Sequence, residues 1–233
     1  MVVTLIGTGN LGTNLHHALR QAGHEVVWLH GRSFAPEDVR GEVVLISVKD
    51  DAIADVAARL GDAPQLVAHT SGTTDVNVLP QRRRGVLYPM QTFSKQRLVD
   101  FAEIPVFLEA ADAEDVQLLE LLARSVSRCV HRLDSLSRRH LHLAAVFACN
   151  FVNHCYDLSA EALREVGLPF EVMLPLIDET ARKVHSIPPR QAQTGPAVRF
   201  DEGVIRRHED MLTGRAKELY RLMSTSIYLM HNS

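Results

Sequence analysis

The sequence predicts an α/β fold: a doubly wound parallel sheet followed by an all-α C-terminal domain. Three observations predict it. The chain opens on a strand-like run, residues 2–6, that passes through three glycines at G-x-G-x-x-G spacing (Gly7, Gly9, Gly12) into a helical pattern. Short apolar runs then alternate with helical segments as far as Asp134, the repeat that builds parallel sheets. After Asp134 the strand-like runs stop and helical periodicity takes over. The expected domains are therefore residues 1–134 and 135–233.

The glycine spacing has a mechanical reason. Gly7 permits a tight turn out of the strand, Gly9 leaves room for a diphosphate against the main chain, and Gly12 lets the helix pack closely on the strand. Thr8, Asn10 and Leu11 supply the intervening backbone, whose free N–H groups at the helix start suit an anion. Gly23 ends the helix and a second strand follows at 25–29. With strand before and helix after, the motif reads as a dinucleotide site. An ordinary glycine turn is the other reading.

The residue closing the second strand reads the adenosine ribose. Here Trp28-Leu29-His30-Gly31-Arg32-Ser33 contains no acid to take the ribose hydroxyls. Arg32 offers a planar fork of donors to a 2′-phosphate and Ser33 adds a hydroxyl, so the expected cofactor is NADP. A solvated loop arginine is the alternative for Arg32.

The remaining elements follow in order. Residues 42–48 form a nearly continuous apolar run, as for a strand buried on both faces, ended by Lys49-Asp50-Asp51. A helix is expected at 52–60 and a fourth strand at 65–69. A fifth strand opens at Val86-Leu87, a sixth spans 105–109, a helix covers 115–126 and a last strand 129–133. Ligands of such sheets bind beyond the carboxyl ends of the strands. That rule selects residues 7–12, 47–51, 69–72 and 88–93. Ser47, Val48 and Lys49 are expected beside the cofactor. His69, Ser71, Gly72 and Gln91 are candidates for the substrate, and Tyr88 for proton exchange. Each is also compatible with ordinary loop chemistry, since Ser and Thr cap helices and Gln is often exposed.

In the second half, residues 136–165 read as one long helix, apolar on most of its circumference, as expected for burial in a small domain or a subunit interface. His142, Val146, Asn150, Asn153 and Asp157 lie at i, i+4, i+8, i+11 and i+15 and form a narrow stripe with four polar members. Such groups line a pocket or bond to neighbouring backbone. Further helices are expected at 170–186, 202–212 and 215–229. Arg199, in the loop before Asp201, would bind a substrate carboxylate or pair with that aspartate, which is also a candidate N-cap.

Composition sets bounds. The 233 residues carry a net charge of −3, which gives no footprint for nucleic acid or a membrane surface. No apolar run reaches membrane-spanning length. Three cysteines do not make a disulfide scaffold, and a first strand starting at Val2 leaves no room for a signal peptide, so a cytoplasmic protein is expected. His140, His142, His154, Cys149 and Cys155 lack metal-ligand spacing, and no metal is expected.

Five motifs carry a family resemblance: Gly7-Thr8-Gly9-Asn10-Leu11-Gly12, His69-Thr70-Ser71-Gly72, Tyr88-Pro89-Met90-Gln91-Thr92-Phe93, residues 144–151 and residues 194–199. On these the chain resembles bacterial proteins with a Rossmann domain and a helical C-terminal domain of undefined function, commonly described as NADP oxidoreductases. It is more distantly similar to pyrroline-5-carboxylate reductase, ketopantoate reductase and the β-hydroxyacid dehydrogenases. The resemblance implies a helical domain like that of 6-phosphogluconate dehydrogenase, a homodimer formed through it, and hydride transfer in the cleft between domains. The β-hydroxyacid dehydrogenases carry a catalytic lysine four residues before an asparagine. Asn150 matches the asparagine, position 146 is valine, and His142, one turn back, stands in as proton donor.

The expected function is an NADP-dependent oxidoreductase of a small carbonyl, imine or hydroxyacid substrate, with His142, Asn150 and Tyr88 as catalytic candidates. The alternative is a non-catalytic dinucleotide-binding sensor or scaffold, which the missing lysine supports.

Overall fold

The computed structural model describes residues 1–232. Its sheet has seven strands in the order β2-β1-β3-β4-β5-β6-β7. These are β1 (Val2–Ile6), β2 (Glu25–Leu29), β3 (Val43–Ile46), β4 (Leu66–His69), β5 (Arg84–Pro89), β6 (Val106–Ala110) and β7 (Val130–Arg132). Strands β1 to β5 pair in parallel, as expected.

One expectation is corrected. β6 runs antiparallel to β5, with Val86 opposite Glu109 and Tyr88 opposite Phe107, so the sheet is mixed. The physical reason lies in the connection. Residues 90–105 contain no helix, and Met90 N–H closes the loop on the Pro105 carbonyl at 2.9 Å. An antiparallel neighbour needs no crossover helix, whereas a parallel one does.

Both faces of the sheet are covered. On β3, Val43 and Leu45 join one apolar cluster with Leu15 and Leu19, and Val44 and Ile46 join another with Ile53, Val56 and Leu60. Period-two alternation thus sends apolar side chains both ways, which is why the strand reads as a continuous apolar run. Helix α1 (Asn10–Gln21) contributes Leu15, Ala18 and Leu19, and α2 (Ile53–Arg59) contributes Ile53, Val56 and Ala57. α1 ends at Gly23, φ +84°, where Gly23 N–H bonds to the Arg20 carbonyl and His24 N–H to the Leu19 carbonyl. That paired closure needs the left-handed conformation only glycine takes cheaply.

α3 (Ala113–Arg124) packs beside β6. α4 (Ser135–Ala145) starts at Asp134, whose carboxylate accepts from Ser137 N–H at 2.7 Å. The single helix expected at 136–165 is interrupted. Residues Val146–Phe151 form a π-helical segment before α5 (Val152–Arg164). A π turn takes extra residues, so the polar stripe read at 3.6 residues per turn does not continue in phase from His142 to Asp157.

The chain divides into two compact units, Met1–Asn150 and a second beginning at Phe151. The expected boundary at 134 precedes α4, which belongs to the first unit. The second unit holds α5, α6 (Leu174–Lys183), α7 (Pro189–Ala192), α8 (Pro196–Arg199), α9 (Glu202–Asp210) and α10 (Gly214–Asn232). Asp201 caps α9 by accepting from Val204 N–H at 3.2 Å. Large apolar side chains of this unit, among them Leu176, Leu222 and Met223, are exposed. Among the described residues no helix is long and apolar enough to cross a membrane.

Candidate functional site

The carboxyl ends of the parallel strands surround a groove of about 520 Å³ in the first unit. Residues 7–11, 30–32, 47–50 and 70–72 line it together with Tyr88 and His142. A wider recess of about 820 Å³ lies at the amino ends, between Asp62, Arg82, Arg83 and Asp112–Asp115. There Arg83 is already paired with Asp115 at 2.6 Å. The rule for open α/β sheets favours the groove at the carboxyl ends.

The three glycines of the loop stand in different surroundings. A Cβ on Gly7 (φ +130°) would stand 2.0 Å from the Ser47 carbonyl oxygen, and one on Gly12 2.3 Å from the Gly7 oxygen. Both are closed by the protein itself. A Cβ on Gly9 would meet nothing within 4 Å, so the space above it is open to a ligand. α1 begins there with no side-chain cap and no acid in its first turn, which leaves its free N–H groups to an anion. The Trp28 indole N–H donates to the Gly7 carbonyl at 2.8 Å, and its ring stacks on His16 at 4.1 Å.

Arg32 and Lys49 line the groove, exposed, and neither side chain makes a hydrogen bond or ion pair among the described residues. Ser33 is exposed beside Arg32 and does not line the groove. Val48 packs on the loop from below: a Cβ on Gly31 would press its methyl at 2.8 Å.

At the other end of the groove the Tyr88 hydroxyl stands 3.2 Å from His142 Nδ1, with the rings edge to face at 6.1 Å. Burial pushes the Tyr88 phenol above its ordinary range. The phenol therefore stays protonated, and its hydroxyl either donates to a bare His142 Nδ1 or accepts from an Nδ1–H, according to that ring's tautomer. Gly72 makes the pair possible, since a Cβ there would lie 2.5 Å from His142 Nδ1 and 2.9 Å from Tyr88 Cζ.

Two substrate candidates, His69 and Gln91, lie outside the groove, and a third, Ser71, lines it with its hydroxyl engaged. His69 is fully buried beneath the loop and does not line the groove. Its Nδ1 accepts from Ser71 N–H at 3.1 Å, and burial, seconded by the Arg138 charge, pushes its imidazole down to about 4. Ser71 does line the groove, but its hydroxyl donates to Asp50 at 2.8 Å and accepts from Thr73 N–H and Thr74 N–H, so its one hydrogen is spent. Gln91 is exposed outside the groove and bonds its own neighbour, Thr92 N–H, at 2.8 Å. Asn150 is exposed on the π-helical segment and is not part of the groove lining, and Arg199 is exposed in the second unit at the end of α8.

The structure adds residues that sequence reading missed. Asp50 and His30 line the groove. Arg138 is fully buried: it donates to the Ser71 and Thr74 carbonyls at 2.9 and 2.8 Å, and to Glu109 and Ser135 at 3.0 and 2.9 Å. It ties the 71–74 loop to α4 and β6, and so holds Gly72 against Tyr88 and His142. Asp50 was signalled by the carboxyl-end rule. Arg138 had no signal, because a helical arginine reads as surface.

No curated protein sequence matches this chain. Residues 104–227 match the family described as a domain of unknown function, DUF2520. The Bacteroides fragilis protein BF3122, provisionally described as an NADP oxidoreductase, is 42% identical over 98% of both chains, with a TM-score of 0.89. An imine reductase of Streptomyces aurantiacus is 14% identical over 98% of this chain and 94% of that one, TM-score 0.71. The NADP-bound pyrroline carboxylate reductase of Plasmodium falciparum is 12% identical over the whole of both chains, TM-score 0.63. The last two likenesses are of fold.

Proposed function

This chain belongs to the DUF2520 family, and we propose that it is an NADP-dependent oxidoreductase of a small carbonyl, imine or hydroxyacid substrate. One observation carries the reading: a proton-exchanging pair, Tyr88 and His142, opens on the same groove as the glycine loop. The similar chain from B. fragilis is described as an NADP oxidoreductase, and fold-level neighbours include imine and pyrroline carboxylate reductases.

The residues present fit the dinucleotide. The open space over Gly9 and the uncapped start of α1 suit a diphosphate, Arg32 a 2′-phosphate, and Ser47, Val48 and Lys49 the middle of the groove. When bound, NADP(H) supplies or accepts the hydride. The protein's own part is the proton. In reduction His142 enters as the imidazolium and gives its Nε2 proton to the substrate oxygen or nitrogen, leaving neutral imidazole. Imidazole is the side chain that most readily exchanges a proton near neutral pH. Tyr88 serves both states, since its hydroxyl oxygen accepts from Nδ1–H of the imidazolium and its hydrogen donates to a bare Nδ1.

The test is NADPH oxidation over a panel of small ketones, imines and ketoacids. Turnover that His142→Ala removes supports the reading, and undiminished turnover in that variant removes His142 from the mechanism.

A homodimer through the helical unit belongs to the same proposal. Its exposed apolar side chains, such as Leu174, Leu176, Leu222 and Met223, would be covered by a second copy. Light scattering at micromolar concentration distinguishes dimer from monomer. A cytoplasmic setting fits three free cysteines, Cys129, Cys149 and Cys155.

A further inference from the structure

We propose that Arg59, which does not line the groove, is the positioning residue that sets preference for NADPH over NADH. It does so by holding the loop that carries Arg32. The inference rests on the proposed role of Arg32 at the 2′-phosphate.

Arg59 is the last residue of α2, and its guanidinium reaches back under the loop that follows β2. Nη1 donates to the Gly31 carbonyl at 2.9 Å and Nη2 donates to the Phe34 carbonyl at 2.5 Å. The guanidinium carbon also lies 4.1 Å from the centroid of the Phe34 ring, which is buried. One side chain therefore brackets Arg32 and Ser33 on both sides. Within this turn Ser33 N–H also bonds to the His30 carbonyl at 3.1 Å. Gly31 adds a steric constraint, since Val48 leaves no room for a side chain there.

The division of labour follows from the donors. Arg59 spends both terminal nitrogens on main-chain carbonyls, while Arg32 spends none on the protein. A planar guanidinium reads a phosphate well only if its own backbone is held, because disorder in the loop must be removed on binding. Arg59 removes it beforehand. NADH has no 2′-phosphate and does not draw on that order. Loosening the loop should therefore weaken one dinucleotide and spare the other, which a general loss of fold would not do.

The experiment measures dissociation constants of NADPH and NADH by calorimetry for the full chain and for Arg59→Met, Arg59→Lys and Arg32→Ala. Arg59→Met is expected to weaken NADPH about tenfold and to change NADH by less than about twofold. Lysine, which cannot bridge both carbonyls, should fall between. Arg32→Ala should cost NADPH more than either. If Arg32→Ala shifts the NADPH-to-NADH ratio and Arg59→Met does not, the inference fails alone. If Arg59→Met weakens both equally, it also fails. If Arg32→Ala leaves the ratio unchanged, the 2′-phosphate reading fails and takes the inference with it. Should Arg59→Met not fold, Phe34→Leu removes the ring under the guanidinium and must give a smaller NADPH-only loss. No such loss overturns the proposal.

Discussion

The Tyr88 hydroxyl and His142 Nδ1 meet at 3.2 Å because the residue between them, Gly72, has no side chain. Strand β5 brings the phenol, α4 brings the imidazole, and Arg138 pins the loop carrying Gly72. The pair is buried enough to hold its geometry and open enough to line the groove.

Gly72→Ala places a methyl 2.5 Å from His142 Nδ1 and must push the rings apart. Turnover should fall about a hundredfold, as for a displaced acid–base group, with NADPH affinity nearly unchanged. Steady-state kinetics beside calorimetry checks this, and equal losses in both would place Gly72 in cofactor binding instead.

Tyr88→Phe removes the partner of Nδ1 and leaves Nε2 in place. Turnover should fall about tenfold, less than the 10²- to 10⁴-fold loss usual for deleting a general acid. A Tyr88→Phe loss as large as that of His142→Ala would make the phenol itself the proton donor.

Gly9→Ala and Gly7→Ala should separate binding from folding. Alanine at position 9 meets no protein atom at the observed φ of −73°, so the melting temperature should hold while NADP(H) affinity drops by an order of magnitude or more. Alanine at position 7 collides with the Ser47 carbonyl at 2.0 Å and sits at φ +130°. It should destabilise the chain by about 2–4 kcal/mol, read by denaturant unfolding.

His69 makes stability depend on pH. Its folded value is depressed from 6.5 to about 4, first by burial, so the unfolded chain binds more protons between those values. The stabilisation is complete above pH 6.5 and is lost as pH falls towards 4, by about 3 kcal/mol in full. His69→Asn, whose amide oxygen can replace Nδ1 as acceptor for Ser71 N–H, should flatten the slope between pH 6.5 and 4.5. An unchanged slope would assign the acid sensitivity elsewhere.

What was legible in the sequence follows from how local each constraint is. The glycine loop was legible because the demands on Gly7, Gly9 and Gly12 arise within a few residues of one another. The position of Arg32 at the groove was legible because the end of the second strand has a fixed place in such folds. The reversal of β6 was not, since an apolar run such as 106–108 reads alike in either direction. The burial of His69 and the bonds of Ser71 to Asp50 and Thr73 N–H were not legible, because they depend on where the chain folds back. Arg138 and Arg59 were silent for a related reason. An arginine on a helix looks solvated until its carbonyl partners are known. The π-helical segment at Val146–Phe151 left no composition signal, so the stripe through Asn150 was drawn with the wrong pitch.

In the proposed function NADP(H) lies on main chain at residues 7–12, next to the Trp28 indole that holds the Gly7 carbonyl. Trp28 is the chain's one tryptophan, so its emission reports on that place alone. Titration with NADPH should quench it with saturation and raise nicotinamide emission by energy transfer, and Gly9→Ala should abolish both. A wild-type chain that shows neither at millimolar NADPH, or a Gly9→Ala chain that responds equally well, would contradict the account.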